Sequence, residues 1–158
     1  VNHNPYIDKA QPAVYRALNN TTKAAKEAYE AAGLTPDLVE LVNVRVSQIN
    51  GCPTCLSIHV PGARKAGVPQ RVLDMLPSWR ADTSGLFTDG QCAALALAEA
   101  LTRPEPGTGR QTPADAVAAA LAEFTAAQVS ALEWAVVLIN AYNRVSIGSG
   151  HPPLHVRG

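Results

Sequence analysis

Over residues 11–32 the apolar positions Val14, Leu18, Ala25, Tyr29 and Ala32 recur close to a 3.6-residue period, which predicts a helix. Gly33 follows as its stop. A second stripe runs through Leu38, Leu41, Val42, Val46 and Ile49. Thr35 stands before it as N-cap, Pro36 takes the first helical position, and Asn50-Gly51 end it. Glu40 lies off the centre of this stripe, on a flank shared with Val44 and Ser47. A third helix is expected with Cys52 as its cap, Pro53 at the first position and Cys55 in the first turn, closing at Gly67 and Pro69. Pro61-Gly62 falls inside it. Pro61 has no N–H for the carbonyl of Ser57, which predicts a kink or two short helices in succession.

Residues 68–76 predict another short helix, stopped by Pro77, and residues 78–87 a loop with Trp79 as a core anchor. Thr88-Asp89-Gly90-Gln91 has the form of a capping box, opening a helix through Leu101. Residues 102–111 are rich in Pro and Gly and predict a loop. Thr112-Pro113 starts a helix to Phe124, and Thr125 caps a last long helix to about Ile147. The tail, residues 148–158, carries two prolines with His151 and His155 and reads as irregular, with both histidines solvated. Cys92 is expected as a small buried core residue, and Trp134 and Tyr142 as packing anchors. Asn140, Asn143 and Arg144 are polar in a helix that otherwise reads as buried, and are expected to satisfy buried backbone groups or to line a subunit contact. With no repeat and no linker long enough to divide it, the chain reads as a single all-α domain over residues 1–158, its core at about 6–147.

Composition changes this picture little. Hydrophobic residues make up 47% and charged residues 16%, as in a globular chain. Thirteen basic residues balance thirteen acidic ones without a basic cluster, so nothing points to nucleic acid or an anionic membrane surface. No apolar run approaches the roughly 18–20 residues of a membrane span. The first residues lack a basic and then apolar leader pattern, and three cysteines do not make a secreted disulfide scaffold. The expected location is the cytoplasm.

The candidate chemistry lies between Glu40 and His59. Cys52 and Cys55 are spaced as in redox pairs at a helix N-terminus, whose free N–H groups and dipole favour thiolate. His59 is four residues after Cys55, one helical turn away on the same face, where it can accept a thiol proton directly or through one water. Glu40 can orient His59 or relay protons to it if the two helices pack there. Two other readings stay open. Cys52, Cys55, His59 and Glu40 could hold zinc, although no second CxxC completes such a site. The cysteines could also simply fill core space, although packing explains poorly a CxxC at a helix start with a histidine one turn on.

The run from Glu40 to His59 resembles the core of the AhpD-like alkylhydroperoxidases of the carboxymuconolactone decarboxylase superfamily: a glutamate, eleven residues, CxxC, three residues and a histidine. Ala63-Arg64-Lys65-Ala66-Gly67, the alanine-rich residues 93–102 behind Phe87-Thr88, and Ile139-Asn140-Ala141-Tyr142-Asn143-Arg144 are also similar to the family. The resemblance implies an AhpD-like helical fold, a homo-oligomer (trimer or hexamer) and peroxide reduction without a bound cofactor or metal. It implies that Cys55 attacks the hydroperoxide and becomes a sulfenic acid, that Cys52 resolves it as a disulfide, and that Glu40 and His59 relay the proton. The dipole argument alone favours Cys52 as nucleophile, but only Cys55 lies one turn from His59. A dithiol donor, lipoyl-bearing or thioredoxin-like, is the implied reductant. Pro53-Thr54 stands where the best-known branch carries a second histidine, and the decarboxylase branch generally lacks the cysteine pair. The competing expectations are a disulfide oxidoreductase or electron carrier with little peroxide turnover, and a non-catalytic oligomeric binding protein on the same fold.

Overall fold

Local signals place the helices, and one central helix organises them. The computed structural model describes residues 4–104 and 111–154. Among these are eight α-helices and one 3-10 segment, with no strand: α1 (Ile7–Ala10), α2 (Pro12–Ala32), α3 (Pro36–Asn50), α4 (Pro53–Lys65), α5 (Gln70–Met75), a 3-10 turn (Leu76–Ala81), α6 (Asp89–Thr102), α7 (Pro113–Glu123) and α8 (Ala126–Ser149). The all-α expectation holds. Capping boxes at Thr88/Gln91, Thr112/Asp115 and Thr125/Gln128 open α6, α7 and α8.

Helix α3 lies at the centre, packed against α4, α6 and α8. Two apolar clusters use opposite faces of it. Leu38, Val42 and Val46 join α6, α7 and α8 through Leu97, Ala116, Leu132 and Ile139. Leu41 and Val44 join α4, α5 and the 3-10 turn through Ala63, Val72, Leu76 and Trp79. A helix buried on two faces keeps no wide polar side, which makes any polar residue on it informative.

The turn between α3 and α4 sets up the site. Gly51 sits in the left-handed region at φ 64°, the conformation that glycine adopts without a Cβ penalty. Its N–H reaches the carbonyl of Gln48 (3.2 Å), and the N–H of Cys52 reaches that of Ser47 (3.0 Å). This is a Schellman closure. Cys52 therefore ends one helix and caps the next, its sulfur accepting from the N–H of Cys55 at 3.4 Å.

Several expectations are corrected. α4 runs unbroken through Pro61. The lost hydrogen bond is outweighed by packing: Ala63, two residues on, is fully buried against the α3 face. The chain after Met75 continues as a 3-10 turn that takes Pro77 near its start, and only from Asp82 is it a loop. Trp79 is buried as expected, but Trp134 is 50% exposed. The core face of α8 is taken by Leu132, Ala135, Val136 and Ile139, so Trp134 falls on the outer face beside Val137. Cys92 is half-buried at the edge of the second cluster, not in its centre. α8 also extends to Ser149, two residues past the expected end, where Gly150 closes it at φ 66°. His155 and most of the Pro/Gly-rich loop lie outside the described residues.

Candidate functional site

Cys52 and Cys55 are free thiols with their sulfurs 2.7 Å apart. Cys52 is 0% exposed and Cys55 4%. Between them only Cys55 reaches a cavity of about 570 Å3 between α2, α3, α4 and α8. His59 and Glu40 line the same cavity. His59 Nδ1 lies 2.8 Å from Glu40 Oε2, with about a fifth and a quarter of the two side chains exposed. Cys55, His59 and Glu40 thus face one cavity, with Cys52 buried beside Cys55. With Nδ1 held by the carboxylate, Nε2 is the nitrogen left to take a proton.

Gly62 explains the odd Pro61-Gly62 step. A Cβ there would lie 3.1 Å from Glu40 Oε2, so the bare α-carbon makes room for the carboxylate. Glu40 is lodged between His59 and Gly62, one turn apart on α4.

The thiol departs from the dipole expectation. Burial pushes Cys55 up from the usual 9.0 to about 11, and neighbouring Cys52 adds to the rise; contacts with Asn143 and Ser146 pull in the other direction. Burial outweighs the helix dipole here, so Cys55 is a thiol at neutral pH and a base is needed to activate it.

Helix α8 supplies polar groups that spacing alone does not connect to the cysteines. Ser146 Oγ is 3.9 Å from the Cys55 sulfur. Asn143 is fully buried; it donates to Ser47 Oγ (3.1 Å) and accepts from Asn50 Nδ2 (2.9 Å), which also donates to Asn140. The signal was three polar residues in a buried helix; the α3 partners of Asn140 and Asn143 lie 90 to 96 residues away. Arg144 faces outward and donates to Asn140. Tyr142 is more than an anchor: its hydroxyl meets Thr22 (2.7 Å) and Asn19 (2.8 Å) across the cavity.

The tail also differs from expectation. His151 is not solvated. Its side chain is 19% exposed, it packs edge-on against Tyr6 at 4.6 Å, and it lines the cavity. Its carbonyl, with that of Pro152, accepts from Thr54 Oγ1 (2.7 and 3.0 Å). The N–H of Leu154 donates to Ser57 Oγ (2.8 Å).

Among the described residues no three His, Cys, Asp or Glu side chains gather as a metal site. Among the same residues no helix is long and apolar enough to cross a membrane.

Residues 12–102 match the carboxymuconolactone decarboxylase family. The uncharacterised protein YdfG of Bacillus subtilis (strain 168) is 30% identical over 112 residues, covering 71% of this chain and 73% of that protein. A crystal structure from Agrobacterium tumefaciens, of a protein of unknown function provisionally named as an AhpD antioxidant-defence protein, aligns at a TM-score of 0.77 with 26% identity, covering 94% of this chain and 96% of the other. With more than half its length matched to the family and this fold in common, the chain belongs to the carboxymuconolactone decarboxylase family as an AhpD-like, all-α member.

Proposed function

We propose that this protein is a thiol-dependent hydroperoxide reductase that cycles Cys52 and Cys55 between dithiol and disulfide. The observation that carries this reading is the shared cavity: the reachable sulfur of a buried cysteine pair opens onto the space that holds a histidine–carboxylate pair. His59 takes the thiol proton of Cys55. The thiolate attacks the outer peroxide oxygen, the O–O bond breaks, and an alcohol leaves. The sulfenic acid left on Cys55 is attacked by Cys52, the S–O bond breaks, water leaves and the disulfide forms. An external dithiol, lipoyl-bearing or thioredoxin-like, restores the pair.

Burial supports this order. Cys52 has no exposed surface from which to meet a substrate, yet it lies next to the Cys55 sulfur, as a resolving thiol must. The apolar lining contributed by Tyr29, Leu34, Val39 and Leu138 suits an organic hydroperoxide. A homo-oligomer belongs to the same proposal.

The test is a stopped-flow titration of anaerobically reduced protein with an alkyl hydroperoxide, followed by mass spectrometry of both cysteines. One equivalent should be consumed for two thiols lost. Cys52→Ser should trap Cys55 as sulfenic acid, and Cys55→Ser should be inert. Full activity in Cys55→Ser would sink the reading.

A further inference from the structure

His151 lines the cavity and is backed by a carboxylate, Asp8, so that a second histidine–carboxylate pair stands at the cavity wall. Helix α8 ends in a Schellman closure: Gly150 turns at φ 66°, its N–H bonds Ile147 (3.0 Å), and the N–H of His151 bonds the carbonyl of Ser146 (3.0 Å). The side chain of that same Ser146 touches the Cys55 sulfur. Thr54, the residue before Cys55, holds the carbonyl of His151. His151 is thus tied from two sides to the residues flanking the reactive sulfur. From α1, Asp8 places Oδ1 3.2 Å from His151 Nε2. Both atoms are shielded from solvent, and they lie out of line for a hydrogen bond. An imidazole whose Nε2 is shielded and held at ion-pair distance from a carboxylate, on the cavity wall, is a built arrangement and not a tail contact.

Attack by a thiol on a peroxide needs two proton transfers. One proton leaves sulfur; another must reach the alkoxide as the O–O bond breaks. His59 with Glu40 serves the first. We propose that His151, oriented by Asp8, serves the second, giving its proton to the group expelled when the Cys55 sulfur attacks. Nε2 faces Asp8, so Nδ1 is the ring position available for that transfer. The balance is closed: the Cys55 proton goes to His59, the His151 proton goes to RO⁻, and Cys55–SOH and ROH result. In the resolving step the Cys52 proton leaves with the hydroxide as water, and the two histidines return to their starting states by exchange with solvent.

The inference rests on Cys55 being the attacking sulfur, and its test separates leaving groups. Reduced wild-type, His151→Gln and Asp8→Asn proteins are mixed with cumene hydroperoxide, whose alkoxide needs a proton, and with iodoacetamide, whose iodide does not. His151→Gln should slow the peroxide reaction at least ~10-fold, a part of what a positioned acid supplies. Alkylation of Cys55 should stay within about twofold, since it draws only on thiolate formation. His151→Ala should regain peroxide rate with added imidazole, which a merely structural role would not allow. Thr54→Val, which loosens the tail but keeps the ring, should lose less than His151→Gln. Equal slowing of both reagents, slowing of neither, or no imidazole rescue overturns the role of His151. If the wild type ignores hydroperoxides, the peroxidase reading fails. The same comparison with an aliphatic disulfide, whose departing thiolate also needs a proton, then decides for or against His151.

Discussion

The two histidine–carboxylate pairs differ in how they are held. His59 and Glu40 stand on adjacent packed helices and share a hydrogen bond of 2.8 Å. His151 and Asp8 come from a tail and a four-residue helix, at 3.2 Å and out of line. The first pair inherits its geometry from α3 and α4, whose contact also buries Leu41, Val44 and Ala63. The second depends on the closure at Gly150 and a few polar contacts, chiefly those of Thr54 and Ser57. On the proposed chemistry one base is fixed by the core and one proton source by the tail and α1, and the two should fail differently under mutation.

The sharpest way to break this contrast is to strip the carboxylate from each pair. Glu40→Gln should slow hydroperoxide consumption about 100-fold, as expected for a disabled general base. Asp8→Asn should cost no more than about 10-fold on the same scale. Equal losses in single-turnover stopped-flow traces would erase the distinction. A subtler change moves Glu40 without removing it. Gly62→Ala would bring a Cβ to 3.1 Å from Oε2 and push the carboxylate by a few tenths of an ångström. The rate should fall roughly 3- to 10-fold through misplacement. The melting temperature should hold or rise, because alanine is better than glycine inside a helix by up to about 1 kcal/mol. A fall in both would mean that the α3–α4 packing, not the pair, had been disturbed.

The smallest effect is read in stability. Cys55 stays protonated in the fold up to about pH 11, against 9.0 as its ordinary value. Between those values the unfolded chain binds fewer protons than the fold, so stability is full below pH 9 and is lost as pH rises through 11. Wild-type melting temperature should drop by roughly a few degrees across that window. Cys55→Ala should show a flatter profile.

Much of the fold was legible because its signals are local. A capping box spans four residues, and a glycine stop or a proline start spans fewer. The same is true of Cys52, Cys55 and His59, which one helix brings together, and of Glu40, which the short turn at Gly51 folds back onto that helix. Other features need contacts far apart in the chain. No spacing rule ties Thr54 to His151, Asn143 to Ser47, or Asp8 to the tail. The expectation of two short helices at Pro61 fails because the cost of a missing donor is local, whereas the burial of Ala63 that offsets it is tertiary. Trp134 was misread because size suggests a core position, while on α8 only the helical phase decides.

The unequal burial of the two cysteines has one more consequence. Cys55 lines the cavity and Cys52 does not. On the proposed chemistry the dithiol is then a cell with a single terminal: electrons leave to the oxidant and return from the donor through one sulfur. The protein cannot pass current between partners docked on separate faces. Oxidant and reductant must take turns in the same seat, each displacing the other, so an excess of either should throttle the cycle that both sustain.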